Sequence, residues 1–218
     1  MAIKGVIFDM DGLMFDTERL FTHYWTHACR DYGIPRKEEF VAAVRGSSGE
    51  KMRACVREYY GPNLDADGFC RRVYEYVDEH LKEAVPKKKG LDELLAFLKA
   101  AGLPCAVASS TYRSLVERNL KTAGVEGYFS LIVTGEEVAR GKPYPDIFEK
   151  AAAGLGLAPG ECLVLEDSYN GVKAGAAAGC VTVMVPDLMA PTPEISALYT
   201  ACLEDLGRVP EFIEKHLR

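Results

Sequence analysis

Val6-Ile7-Phe8-Asp9-Met10-Asp11-Gly12 carries the most informative pattern in this chain. Three apolar residues run without a break and then stop at two aspartates and a glycine. A continuous apolar run closed by a turn signal reads as a strand buried on both faces of a parallel sheet. Ligands of such sheets bind beyond the carboxyl ends of the strands, which is where Asp9 and Asp11 fall. Two carboxylates this close repel each other unless a cation lies between them, and a hard Mg²⁺ ion suits oxygen ligands. The competing reading is a plain turn, because Asp and Gly both favour turns. On this stretch alone the two readings stand level.

The same kind of apolar run recurs along the chain. Strands are expected at residues 3–8, 104–108, 131–133, 162–165 and 181–185. Between them lie amphipathic stretches that stop at glycine: 91–101 before Gly102, 115–123 before Gly124, 145–155 before Gly156 and 172–178 before Gly179. Glycine just past a helix end is a stop signal, and Pro145 opens its helix at a favoured position. Strand and helix in alternation give an α/β fold with a doubly wound parallel sheet.

One region breaks the alternation. No strand pattern appears between Thr17 and Ala84, whereas Leu20, Phe21, Tyr24, Trp25, Ala28 and Tyr32 form a helical stripe. Further helical patterns run over 37–44, 50–60 and 67–81, and Thr17 with Glu18 reads as the cap of the first helix. The expected organisation is a core of residues 1–15 and 86–218 interrupted by a helical domain at 16–85, a size within the range of small domains. A helical unit above the end of the first strand would exclude water from Asp9 and Asp11.

The bulk composition narrows the function. The formal charge is −6 and Lys87-Lys88-Lys89 is the one basic run, so clustered cations for a nucleic-acid partner are missing. No apolar stretch of 18 residues exists, so no membrane partner is expected. No charged and apolar leader precedes the first strand. Seven cysteines, an odd number without C-x-x-C spacing, read as reduced, and a cytoplasmic protein is the expectation. His23 and His27 are four apart on a helix, but no H-E-x-x-H pattern accompanies them, and they read as ordinary helix residues. A monomer is expected.

Four strand ends carry chemistry. The first brings Asp9 and Asp11, the second Ser109 with Ser110 and Thr111 behind it. The region after the third brings Gly141-Lys142-Pro143, and the fourth brings Glu166, Asp167, Ser168 and then Asn170-Gly171. In a parallel sheet these share one edge. Several acids call for a divalent cation, while hydroxyl, lysine and backbone N–H groups complement phosphate oxygens. Such a site can use Asp9 as nucleophile and Asp11 as proton donor and acceptor.

With these pieces in order, the chain resembles the haloacid dehalogenase superfamily in its β-phosphoglucomutase-like, phosphatase branch. The resemblance rests on residues 9–18 (DMDGLMFDTE), 108–111 (ASST), 141–148 (GKPYPDIF) and 166–174 (EDSYNGVKA). It implies that Asp9 is the nucleophile and a Mg²⁺ ligand. Asp11 is then the general acid/base, binding the metal through its carbonyl. Ser109 and Ser110 belong to the phosphate cradle, Lys142 bridges nucleophile and phosphate, and Glu166 and Asp167 complete the metal site. The helical insert then corresponds to a cap that opens and closes and selects the substrate, with Thr17, Arg45, Gly46 and Asn170 as specificity candidates.

The implied activity is Mg²⁺-dependent hydrolysis of a small phosphorylated metabolite, a sugar phosphate or nucleoside monophosphate. A sugar phosphomutase is the rival. The branch's mutases carry a histidine where Phe21 stands here, and an arginine in the loop where glycine stands near Arg45-Gly46, and both departures favour water as acceptor. A receiver-like phosphoacceptor module is the non-enzyme alternative. It is disfavoured because Asp11 would promote loss of the phosphoryl group.

Overall fold

The computed structural model describes residues 2–45, 47 and 49–216. Its centre is one parallel sheet of six strands: β1 (Gly5–Phe8), β2 (Cys105–Ser109), β3 (Leu131–Thr134), β4 (Cys162–Glu166), β5 (Val181–Met184) and β6 (Ala201–Cys202), in the order β3-β2-β1-β4-β5-β6. The five expected strands are present, each within two residues of its expected bounds. The sixth is added at the edge. Every residue of β1, β2 and β4 is buried, which is why they read as unbroken apolar runs rather than alternating ones.

Helices α5 (Leu91–Ala100), α6 (Arg113–Thr122), α7 (Asp146–Gly154) and α8 (Tyr169–Ala177) connect the strands, and the short α9 (Pro193–Ser196) and α10 (Val209–His216) follow β5 and β6. Ile7, Ala106, Val133, Phe148, Ala151 and Val164 meet in one buried cluster, so α7 lies directly on the sheet. The strand order reverses at β1, which pairs with β2 on one side and β4 on the other. The crevice beyond their carboxyl ends is the ligand position of such sheets.

The chain divides into two compact units, residues 1–15 with 86–218, and residues 16–85. The second unit is helical: α1 (Thr17–Asp31), α2 (Glu38–Val44), α3 (Gly49–Tyr60) and α4 (Ala66–Glu83). Its interior is aromatic. Trp25 lies edge-on to Phe40 at 5.0 Å between ring centres and 5.3 Å from Phe69, and all three are buried. Asp16, not Thr17, occupies the cap position of α1, and Thr17 is the first helical residue.

Within the core unit the two ends of the interruption lie side by side. Phe15 forms an antiparallel bridge with Lys87, and the N–H of Lys88 donates to the carbonyl of Met14 at 2.9 Å. The Lys88 ammonium also meets the buried Asp187 carboxylate at 2.6 Å, beyond the end of β5. The seven cysteines are free, four of them buried. Among the described residues, no helix is long and apolar enough to cross a membrane.

Candidate active site

Asp9 follows the last residue of β1, and its N–H is tied to the carbonyl of Leu165 in β4. Its side chain is thereby aimed past the sheet edge, where it is 8% exposed. Lys142 arrives on the long connection between β3 and α7. Its ammonium donates to Asp9 Oδ1 at 2.5 Å, to Glu166 Oε1 at 2.6 Å and to the Ala108 carbonyl at 3.0 Å. It also sits 4.9 Å above the Phe148 ring, so its charge is held by carboxylates on one side and an aromatic face on another.

Glu166 ends β4 fully buried. Its Oε2 accepts from both the N–H and the hydroxyl of Ser168, at 3.0 and 2.9 Å. Ser168 also caps α8, its Oγ accepting from the Gly171 N–H at 3.1 Å. One serine thus starts a helix and orients a carboxylate. Gly171 has no alternative there, because a Cβ would collide with the Glu166 carboxylate. Gly12 plays the same part for Asp167: its φ is +84° and a Cβ would collide with that carboxylate.

Asp9, Glu166 and Asp167, all buried, bring one oxygen each within 4.8 Å of one another. Burial pushes the Asp9 carboxyl up to about 8, with the Lys142 ammonium opposing and Glu166 and Asp11 adding to the rise. Burial also works against the Lys142 charge, but Asp9 and Glu166 outweigh it and hold the ammonium protonated. Three buried carboxylates face one ammonium here, so the cluster calls for more positive charge than one lysine supplies. The donors are hard carboxylate oxygens and two glycines leave room around them, so the residues fit a hard divalent ion such as Mg²⁺.

On the other flank, the Asp11 carboxyl is half-buried and accepts at Oδ2 from the Thr111 hydroxyl at 2.7 Å. Ser109 is buried at the end of β2, and its Oγ accepts from the Thr111 N–H at 3.1 Å. The core therefore brings together Asp9, Asp11, Ser109, Lys142, Glu166 and Asp167. Ser110 is exposed, and Asn170 is exposed in the first turn of α8. In the helical unit, Thr17 is buried and Arg45 is exposed at the end of α2. Gly46 lies outside the described residues. Sequence reasoning missed the holding roles of Thr111, Ser168, Gly12 and Gly171. Only Ser168 carried a local signal, a serine placed to cap a helix.

The family model for haloacid dehalogenase-like hydrolases matches residues 6–185. The chain is 38% identical over 193 residues to a Drosophila melanogaster protein described as a probable pseudouridine-5'-phosphatase, covering 85% of this chain and 82% of that one. It is 30% identical over 177 residues to the phosphorylated carbohydrates phosphatase of Thermotoga maritima, covering 81% and 82%. A solved Thermotoga maritima structure assigned as a β-phosphoglucomutase superposes with a TM-score of 0.83 at 26% identity, covering 98% of this chain and 99% of that one.

Proposed function

This chain belongs to the haloacid dehalogenase-like hydrolase family and is a phosphatase of its β-phosphoglucomutase-like, capped branch, and we propose that it hydrolyses a small phosphorylated sugar or nucleoside monophosphate through a phosphorylated Asp9. The observation that carries this reading is the Lys142 ammonium held between Asp9 and Glu166 beside Asp167. Asp9 is the carboxylate at the mouth of the sheet crevice, and the lysine that neutralises it also offers charge to an incoming phosphoryl group.

Asp9 attacks phosphorus, and the bond from phosphorus to the leaving oxygen breaks. Asp11 gives that oxygen its proton. A water then attacks the aspartyl phosphate, its proton passing to Asp11, and phosphate departs with Asp9 restored. Ser109 and Lys142 hold phosphoryl oxygens. Asp9, Glu166 and Asp167, with the Asp11 carbonyl, would hold Mg²⁺, which offsets the repulsion between anionic substrate and carboxylates. The substrate class is supported by two relatives, one described by its action on phosphorylated carbohydrates and one on pseudouridine 5'-phosphate. Phe21, packed edge-on to Tyr74 at 5.2 Å, stands where the branch's mutases carry a histidine, a departure that favours water as the acceptor.

Phosphate release from a panel of sugar phosphates and nucleoside monophosphates, with Mg²⁺ and with a chelator, tests the reading. Metal-dependent release that Asp9→Asn abolishes is expected. Release that survives Asp9→Asn would remove the proposed nucleophile, and isomerisation of a sugar 1-phosphate without net release would make the enzyme a mutase.

A further inference from the structure

Thr111 lies two residues past the end of β2 and holds two of the groups assigned above, yet has no role of its own in the chemistry. Its hydroxyl reaches across to the β1 loop and donates to Asp11 Oδ2 at 2.7 Å. Its main-chain N–H donates to Ser109 Oγ at 3.1 Å. The next residue, Tyr112, is at the cap position of α6, so the loop carrying Thr111 is fixed at both ends by regular structure.

We propose that Thr111 is a positioning residue that sets the orientation of the Asp11 carboxyl for proton transfer to the leaving oxygen. The proposal rests on the reading of Asp11 as general acid and base. The aspartate χ2 torsion is broad and weakly ordered by itself. A hydrogen bond to Oδ2 from a second loop restricts it and directs the acid proton to Oδ1. Small misplacements of a reacting group are costly, on the order of a hundredfold for 1 Å. The main-chain bond to Ser109 does a separate task. Because Ser109 Oγ accepts from Thr111, the serine's own proton is free to donate to a phosphoryl oxygen. Replacing the threonine side chain leaves this second bond in place, so substitution isolates the effect on Asp11.

The test compares kcat/KM for p-nitrophenyl phosphate and phenyl phosphate in the full chain with Mg²⁺ present. This ratio reports steps up to departure of the leaving group, and nitrophenolate leaves without help from an acid whereas phenolate needs it. Thr111→Val is expected to lower the value for phenyl phosphate about tenfold and that for p-nitrophenyl phosphate less than about twofold. Thr111→Ser, which keeps the hydroxyl, is expected to restore both. Equal losses on the two substrates, or wild-type values on both, would overturn the proposal. Asp11→Asn separates the two levels of inference. If it is impaired on phenyl phosphate while Thr111→Val is not, only the positioning role falls. If it retains full turnover, the acid–base reading falls and the positioning role with it. Should Thr111→Val fail to fold by thermal unfolding, Thr111→Ala set against Thr111→Ser makes the same comparison.

Discussion

Gly171 shows how far a single atom matters at this site. In a helix interior, Gly→Ala normally stabilises by about 1 kcal/mol. Here the added methyl would meet the buried Glu166 carboxylate, which Lys142 and Ser168 already hold. Overpacking of this kind costs about 1–3 kcal/mol, so the sign reverses. Gly171→Ala is expected to lower the thermal unfolding midpoint and to weaken the rise in that midpoint on adding Mg²⁺. An unchanged or raised midpoint would show that Glu166 moves aside without cost. Lys142→Met, in turn, leaves buried Asp9 and Glu166 without their shared ammonium. Turnover is expected to fall at least a hundredfold, since one preorganised charge at a reacting centre is worth about that much.

The connection after β3 is held by one ion-pair network. Glu137 accepts from Arg113 of α6 and from the Thr134 N–H and hydroxyl at the end of β3, and Lys150 of α7 lies 3.2 Å away. Burial pushes the Glu137 carboxyl up, but these donors outweigh it and bring it from its ordinary 4.5 to about 2. A carboxyl depressed in the folded state adds stability that is fully present above pH 4.5 and is lost as pH falls toward 2. With side chains 27% and 41% exposed, solvent screening limits the gain to about 1 kcal/mol. Glu137→Gln is therefore expected to lose this increment at pH 7 and to show a flatter decline in stability below pH 4.5, read by urea unfolding across pH.

Burial along each element explains what the sequence could carry. β1, β2 and β4 are legible because both their faces are buried, so that hydrophobicity is continuous along them. β6 is not: two residues, Ala201 half-buried and Cys202 exposed, make an edge strand with no apolar run. α10 buries only Val209 and Ile213, too few for a periodic pattern to stand out. Asp9, Glu166 and Asp167 are legible as acids at strand ends. The bond from Thr111 to Asp11 is not, since it depends on how two loops a hundred residues apart are set in register by the β1–β2 ladder.

For the whole molecule, the division into two units gives a spectroscopic handle. Trp25 is the chain's one tryptophan and lies in the helical unit against Phe40 and Phe69. Its fluorescence reports that unit, while far-UV circular dichroism reports both. Phe69→Ala removes a fully buried ring at a cost of about 3–5 kcal/mol. The fluorescence transition in urea is expected to move to lower denaturant ahead of the main dichroism transition. Coincident transitions that shift together would mean that the two units unfold as one. Mg²⁺ binding to the carboxylate cluster should stabilise the core by mass action, raising the dichroism transition in the parent chain but not in Asp167→Asn.

The pairing of Phe15 with Lys87 and of Met14 with Lys88 has an evolutionary consequence. The core's chain path is closed by its own hydrogen bonds at the point where the helical unit departs and returns, so that unit stands in the sequence like a parenthesis. Loop-closure cost grows only slowly with the length enclosed. Lineages can lengthen, shorten or exchange what lies between the brackets while the acids at the strand ends stay in register. The enclosed unit can thereby change without disturbing the geometry of the carboxylate cluster.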